Sequence, residues 1–214
     1  MTRIPFTSPS EVLQALPAII DHLRAHGAIA YPTETVYGFG GLVTPPALER
    51  VARLKSRDES RPFLLLVSQP AQLAGLEWNE AARKLAQEFW PGPLTLALRA
   101  TGGEFPPRVL SAEQTVAVRE TPHAGLRTLL EVLGEPITST SANLRGQAPA
   151  SSADQVAEVL AELHAGDVLL LDGGALPAGE PSTLVDCSRD PVRVLREGAI
   201  TVATIRNVVS SVDV

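Results

Sequence analysis

Residues 8–32, SPSEVLQALPAIIDHLRAHGAIAYP, hold the unit that decides the fold: an amphipathic helix followed at once by a short apolar strand. Ser8 reads as an N-cap and Pro9 takes the first helical position. Glu11 lies three residues after the cap, where its carboxylate can return to the cap's own N–H. Val12, Leu13, Leu16, Ile19, Ile20 and Leu23 recur at helical spacing, so one face is apolar, and Gly27 is placed to end the helix. Pro17 lies inside the pattern without an N–H to donate and predicts a kink or a split there. Ala28-Ile29-Ala30-Tyr31 then reads as a buried strand that Pro32 stops.

Outward from this unit the same alternation recurs. Thr44-Pro45 opens a helix with Leu48, Val51, Ala52 and Leu54 on one face, and Phe63 to Val67 is a continuous apolar strand. Asn79 caps a helix that runs to Trp90 and is ended by Pro91-Gly92-Pro93. Leu94 to Leu98 and Thr115 to Arg119 read as strands, Thr121-Pro122 starts a helix that stops at Gly134, and Ile137 leads into a polar loop. Ser152 and Gln155 form a capping box for a helix through Leu163, and Val168 to Leu171, Thr183 to Cys187 and Val192 to Leu195 are the last strands. Helices alternating with short buried strands predict an α/β fold with a largely covered mixed sheet. There is no repeat or linker; the Gly/Pro-rich stretch Gly173 to Pro181 is short enough for a loop, so residues 1–214 are expected to form one domain.

Composition removes whole classes of function. With 44% apolar and 20% charged residues, the chain is an ordinary globular domain rather than a disordered one. The single cysteine, Cys187, leaves no disulfide framework and fits a reducing, cytoplasmic setting. The longest aliphatic run, Leu64 to Val67, is far short of the ~20 residues that span a bilayer, and the N-terminus lacks a signal peptide's apolar core, so no membrane role is expected. The net charge of −6 falls wholly on residues 108–214, with 8 basic and 14 acidic side chains, because residues 1–107 hold 10 of each. Arg50, Arg53, Lys55, Arg57 and Arg61 against Asp58 and Glu59 nevertheless make a local +3 in a chain with two lysines. That excludes a global nucleic-acid footprint and allows a local anion site.

Familiar catalytic signatures fail residue by residue. Gly38-Phe39-Gly40-Gly41-Leu42-Val43 begins like a dinucleotide fingerprint, but Val43 stands at the third glycine; there is no Walker A loop and no Gly-x-Ser-x-Gly elbow. His22 and His26 sit four apart without a third ligand and read as a solvated helix face; His123 and His164 are isolated, and Cys187 reads as a small core residue. What remains is a set of hydroxyl-rich loops at strand ends with cations close by. They are Thr33-Glu34-Thr35 after Tyr31-Pro32, Thr138-Ser139-Thr140-Ser141-Ala142-Asn143, and Ser182-Thr183, beside Lys55, Arg57, Arg119 and Arg196. Hydroxyls supply short donors and arginine forks match carboxylate and phosphate oxygens, so the pattern reads as an anionic small-molecule site; the same residue types also favour turns and caps, and both readings stand at this point.

The residues also carry a resemblance. Tyr31-Pro32-Thr33-Glu34-Thr35-Val36-Tyr37-Gly38 and Lys55-Ser56-Arg57 resemble the signatures of the YrdC-like family of threonylcarbamoyl-AMP synthases. So do Trp90-Pro91-Gly92-Pro93-Leu94-Thr95, Thr115-Val116-Ala117-Val118-Arg119, Ser141-Ala142-Asn143, Ser182-Thr183-Leu184-Val185-Asp186 and Leu195-Arg196-Glu197-Gly198-Ala199-Ile200, in family order. The resemblance implies a short, single-domain form: an open, twisted, mixed sheet flanked by helices, with a concave, basic ligand groove. It implies that L-threonine, bicarbonate and ATP, with Mg²⁺, give threonylcarbamoyl-AMP and pyrophosphate, and that partner proteins then transfer the group to tRNA. It places Lys55 and Arg57 on the triphosphate or carbamate as catalytic residues, and Thr33, Thr35, Arg119 and Ser182 on threonine or its carbamate. Ser139, Ser141 and Asn143 are implied for the nucleotide, Thr115 and Arg196 for its phosphates, and Glu34 either helps hold Mg²⁺ or orders its loop. Two departures stand out: Leu66 lies about where long-form members have a histidine, and Asp58 replaces the proline after Lys-x-Arg. They leave room for a paralogue with another carbamoylation substrate. A non-enzymatic RNA-binding or ribosome-associated role is the remaining alternative, and the net acidity weighs against it.

Overall fold

The computed structural model describes residues 1–55, 61–102, 105–177 and 179–214. Helix α1 (Pro9–Arg24) starts as the sequence predicts: Glu11 N–H donates to Ser8 Oγ at 3.3 Å and Ser8 N–H to Glu11 Oε2 at 2.9 Å. Pro17 does not split it. The proline sits on the exposed side, so the Leu13 carbonyl left without an N–H faces solvent rather than core. The stop also differs from the sequence reading. His26, not Gly27, takes the left-handed conformation (φ 60°), with His26 N–H donating to Leu23 O at 2.9 Å and Gly27 N–H to His22 O at 2.8 Å. Gly27 is needed for another reason: a Cβ there would run into the His22 ring. That ring contacts Ala28 O through Nε2 at 2.9 Å, and His26 Nδ1 meets Thr44 Oγ1 at 3.1 Å.

The remaining elements follow in chain order. β1 (Thr2–Pro5) precedes α1; β2 (Ile29–Pro32), β3 (Tyr37–Gly40), α2 (Pro45–Lys55), β4 (Leu64–Val67) and α3 (Glu80–Phe89) come after it. Next are β5 (Leu94–Arg99), β6 (Thr115–Glu120), α4 (Ala124–Leu133), β7 (Ile137–Ser141) and α5 (Ala153–Glu162). The chain closes with β8 (Leu169–Asp172), β9 (Thr183–Asp186), β10 (Val192–Arg196), α6 (Val202–Val208) and β11 (Val212–Asp213). All eleven strands join one sheet in the order β1-β8-β2-β3-β7-β4-β6-β5-β9-β10-β11. Parallel and antiparallel pairings are mixed: β2, β3, β7 and β4 alternate in direction, and β4 with β6 is parallel.

One correction to the sequence reading and one strand it did not assign lie in the middle of this sheet. Ile137 to Ser141 is a central strand, not a loop, held by β3 on one side and β4 on the other. Its hydroxyls explain how a polar sequence can sit there: Thr138 is buried, accepting from Gly41 N at 3.0 Å and donating to Gly41 O at 3.1 Å. The neighbouring Tyr37-Gly38-Phe39-Gly40 is a strand because Tyr31 lies across it. A Cβ on Gly40 would meet Thr138 O and the Tyr31 ring, and the Tyr31 hydroxyl donates to that same Thr138 O at 2.9 Å. The start of α4 moves too: His123 is its N-cap, Nδ1 accepting from Leu126 N at 3.3 Å, and Gly134 ends it.

Register decides what is covered. Leu65, Val118 and Leu96 face one another across β4, β6 and β5 on one side of the sheet. On that side Leu48 and Val51 of α2 and Val156 and Leu160 of α5 pack over Phe39, Leu65 and Val118, and Leu85 of α3 and Ile205 of α6 pack over Leu96, Val185 and Val194. The opposite side is helix-covered at one end, where Leu16, Ile19 and Leu23 of α1 and Leu126, Leu129 and Leu130 of α4 bury Ile29, Tyr31, Leu66 and Ile137. Each such aliphatic burial contributes about 1.5–3 kcal/mol. Beyond Leu66 that coverage ends. Leu64, Ala117, Ser139 and Ser141 are all partly exposed although they lie in mid-sheet.

Candidate functional site

The uncovered half of that face gathers most of the residues singled out from the sequence. Leu66 pairs with Arg119, Thr95 lies on the same face just beyond the Leu96–Val118 pair, Thr95 pairs with Leu184, and a β-bulge between Val194 and Arg196 puts Arg196 beside Leu184. One row across β4, β6, β5, β9 and β10 thus reads Leu66, Arg119, Thr95, Leu184, Arg196. Four residues along β6, Thr115 lies opposite Arg99, at the end of the sheet where β7 reaches Ser141. At ~3.3 Å per residue the two rows are roughly 13 Å apart, a span suited to an elongated ligand with polar groups at both ends.

The first row is the more cationic. Arg119 is buried at 5% exposure; its Nε donates to Gly92 O at 3.2 Å and its Nη2 is in contact with the Glu34 carboxylate. Burial and the nearby Arg196 pull the Arg119 pKa down to about 10, and Tyr31 opposes them, so the guanidinium stays charged at neutral pH. Arg196, lowered by burial, donates to Ser182 O at 2.7 Å and to Ser182 Oγ at 3.2 Å. Ser182 Oγ in turn lies 2.8 Å from Thr95 Oγ1. Glu34 reaches Arg119 from the β2–β3 hairpin, whose flanking Thr33 and Thr35 are buried and joined through their hydroxyls at 3.1 Å. Thr33 Oγ1 also donates to Val36 O at 2.6 Å, which closes the hairpin.

The second row is held by Asn143. Its Oδ1 accepts from Lys55 Nζ at 2.6 Å and from Ser141 Oγ at 2.6 Å, while its Nδ2 donates to Leu144 O at 2.9 Å and Gln147 O at 2.7 Å. Lys55, the last residue of α2, is thereby fixed over the end of β7. Thr115 is buried with its hydroxyl 2.8 Å from Ser111 Oγ. Ser139 faces the open side between the rows, opposite Leu64. The basic cluster read from the sequence is not wholly part of this face, since Arg50 turns away to Asp167. Cys187 is buried and pushed up to about 12, chiefly by burial and then by Asp186, so it is no nucleophile.

A family model, Sua5_yciO_yrdC, described as telomere recombination, matches residues 21–198. The chain belongs to the Sua5/YciO/YrdC family. It is 35% identical over 195 residues to threonylcarbamoyl-AMP synthase of Bacillus subtilis, covering 90% of this chain and 56% of that protein, so it spans little more than half that relative's length. The enzyme of the same name from Thiobacillus denitrificans is 35% identical over 175 residues, with 80% of this chain and 90% of that one covered. Among solved structures, Pyrococcus abyssi Sua5 complexed with L-threonine superposes with a TM-score of 0.90 at 31% identity, over 100% of this chain and 62% of that one. E. coli YciO superposes at 0.81 with 28% identity, over 95% and 98%. The fold expected from the sequence, a mixed sheet flanked by helices, is therefore the Sua5/YciO/YrdC fold.

Within that family frame the structure draws the expected residues into two groups. Thr33, Thr35, Arg119, Ser182 and Arg196 belong with the first row; Lys55, Thr115, Ser141 and Asn143 belong with the second, and Ser139 lies between. Arg196, expected at the nucleotide's phosphates, stands beside Ser182 in the first row, its Nη2 donating to Ser182 O at 2.7 Å. Arg57 and Asp58 lie outside the described residues. Thr95 has no role in the sequence reading although it stands in the quoted Trp90 to Thr95 motif; the alternation of β5, with a hydroxyl among apolar residues, was the available signal.

Proposed function

We propose that the chain is an L-threonylcarbamoyladenylate synthase. The observation that carries this is the uncovered sheet face, which sets Lys55, Arg119 and Arg196 among hydroxyls in two rows, together with the name shared by relatives at 35% identity. The reaction asks for positioning and charge neutralisation more than for acid–base work. Threonine's amine and bicarbonate form a carbamate and water. A carbamate oxygen then attacks the α-phosphorus of ATP, and the bond to the β-phosphate breaks to release pyrophosphate. In this reading the first row holds the amino acid and its carbamate, with Arg119 neutralising an anionic oxygen from within a buried setting where its charge is weakly screened. The second row takes the nucleotide, with Ser139, Ser141 and Asn143 against the adenylate and Lys55 and Arg57 at the phosphates where charge develops.

Glu34 does not fit the part of a magnesium ligand, because its carboxylate is in contact with Arg119. Among the described residues no three His, Cys, Asp or Glu side chains are grouped to hold a metal. Mg²⁺ belongs in this proposal only as the counter-ion of ATP. Residues 1–214 are read as one domain, since a single sheet joins β1 to β11. Among the described residues no helix is long and apolar enough to cross a membrane. A cytoplasmic enzyme that hands its product to tRNA-modifying proteins is the setting this proposal implies.

The test is incubation with labelled bicarbonate, ATP, Mg²⁺ and a panel of amino acids, with pyrophosphate detection. L-Threonine-dependent pyrophosphate release with label in an adenylate product supports the assignment. Release that depends on another amino acid moves it to a paralogous carbamoyl-adenylate enzyme, and release that needs no amino acid refutes it.

A further inference from the structure

Thr95 and Ser182 carry one hydroxyl proton more than their surroundings can accept. A guanidinium has donors and no acceptor, so in the contact between Arg196 Nη2 and Ser182 Oγ, at 3.2 Å, the arginine donates. The remaining hydrogen bond of Ser182 Oγ is to Thr95 Oγ1 at 2.8 Å, and Thr95 Oγ1 has no second partner among the described residues. Two hydroxyl protons therefore share one O···O bond. Both side chains belong to buried residues, at 3% exposure for Thr95 and 4% for Ser182, and a buried donor without an acceptor is costly. With Arg196 already donating to Ser182, the favourable order is Arg196 to Ser182 to Thr95, which leaves the Thr95 proton as the surplus one.

Arg119 on the neighbouring strand lies on the same face: Ala97 pairs with Ala117, and Thr95 and Arg119 each stand two residues from that pair towards the same end. Arg119 commits Nε to Gly92 O and Nη2 to Glu34, and its Nη1 makes no hydrogen bond among the described residues. A spare guanidinium N–H and a spare hydroxyl proton thus lie on one face of adjacent strands, and both call for an anionic oxygen.

We propose that Thr95 is a substrate-binding residue: its hydroxyl donates to a carboxylate oxygen of the amino acid that Arg119 Nη1 pairs with, while Arg196 and Ser182 fix the direction of that proton. This rests on the synthase reading above and adds a residue and a relay to it. Thr95→Val keeps the shape and removes the proton, and Thr95→Ser keeps the proton and removes the methyl. Calorimetric titration with L-threonine, titration with L-threoninol, which lacks the carboxylate, KM for ATP and Tm are measured on both variants and the parent. Losing a hydrogen bond to a charged group weakens binding by about 10- to 100-fold. That loss is expected for Thr95→Val with L-threonine and not with L-threoninol, with KM for ATP and Tm close to the parent and Thr95→Ser within about threefold of it.

Unchanged L-threonine affinity in Thr95→Val overturns the relay while leaving the synthase reading intact. Equal losses in both variants, equal losses for L-threoninol, or a Thr95→Val protein that does not fold overturn it too, because each makes the side chain a packing element. A parent that neither binds nor consumes L-threonine refutes the synthase reading, and the proposal falls with it.

Discussion

Removing the Asn143 side chain tests whether the Ser141-Ala142-Asn143 segment is an organised part of the site or only a turn. Asn143→Ala deletes four hydrogen bonds at once: those from Lys55 and Ser141 to Oδ1, and those from Nδ2 to the carbonyls of Leu144 and Gln147. Neutral bonds are worth about 0.5–1.5 kcal/mol each and the one from the ammonium more. The residue is partly exposed, so water replaces part of what is lost. A net loss of about 2–3 kcal/mol follows, which for a chain of this size lowers Tm by roughly 4–12 °C. ATP affinity should fall by about 5- to 150-fold, equivalent to ~1–3 kcal/mol, because Lys55 loses the anchor that holds it over β7. Asn143→Asp sharpens the test. It keeps the acceptor for Lys55 and Ser141 but turns two donors into a carboxylate facing two carbonyls, and it adds a negative charge on the proposed phosphate side. It should melt no higher than Asn143→Ala and bind ATP no better. Scanning calorimetry and ATP titration read both effects. An Asn143→Ala protein within 2 °C and twofold of the parent refutes the reasoning.

Lys55→Ala should lower pyrophosphate release by on the order of 10²-fold, as losing one electrostatic donor does, and Arg57→Lys should restore only part of the parent rate because an ammonium is not a fork; steady-state turnover at saturating substrates checks both. Gly40→Ala should destabilise by about 3 kcal/mol, because its Cβ would press on the Thr138 carbonyl and the Tyr31 ring in mid-sheet; urea unfolding with a change under 1 kcal/mol would count against that packing. His123 accepts the Leu126 N–H as a neutral ring stacked on Phe6, and burial lowers its pKa below the usual 6.5. Its contribution is therefore complete above that value and is lost as pH falls towards the folded-state value. His123→Asn, a cap that does not titrate there, should flatten Tm between pH 7 and 5, and an unchanged acid slope would exclude the ring as its source.

The helices and the apolar strands were legible because their physics is local. Ser8 with Glu11, Asn79 and Ser152 each cap the helix that their spacing announces, and apolar runs such as Leu65-Leu66-Val67 are buried where they should be. What escaped were strands whose composition answers to something distant. Ile137 to Ser141 reads as a loop because two of its side chains face an uncovered groove and a third is satisfied by Gly41 across the sheet. Tyr37 to Gly40 carries no local strand signal because glycine is a poor strand former, and only the Tyr31 ring above it explains the choice. β1, α6 and β11 are short and were missed for want of a periodic pattern. The candidate site was visible as residue types; its division into two rows depends on strand order and register, which no local rule carries.

The pairs that build the two rows are remote along the chain. Lys55 and Asn143 are 88 residues apart, and Thr95 and Ser182 are 87 apart. Closing such loops costs entropy before any contact repays it, so structures of this kind form slowly and late. During synthesis the first row is incomplete until Arg196 has left the ribosome, by which point ten of the eleven strands have been made. Ligand affinity in this protein is therefore a report on the finished sheet. A half-made or clipped chain has no weakened version of the groove to offer, and a bound substrate holds together strands that share no local sequence.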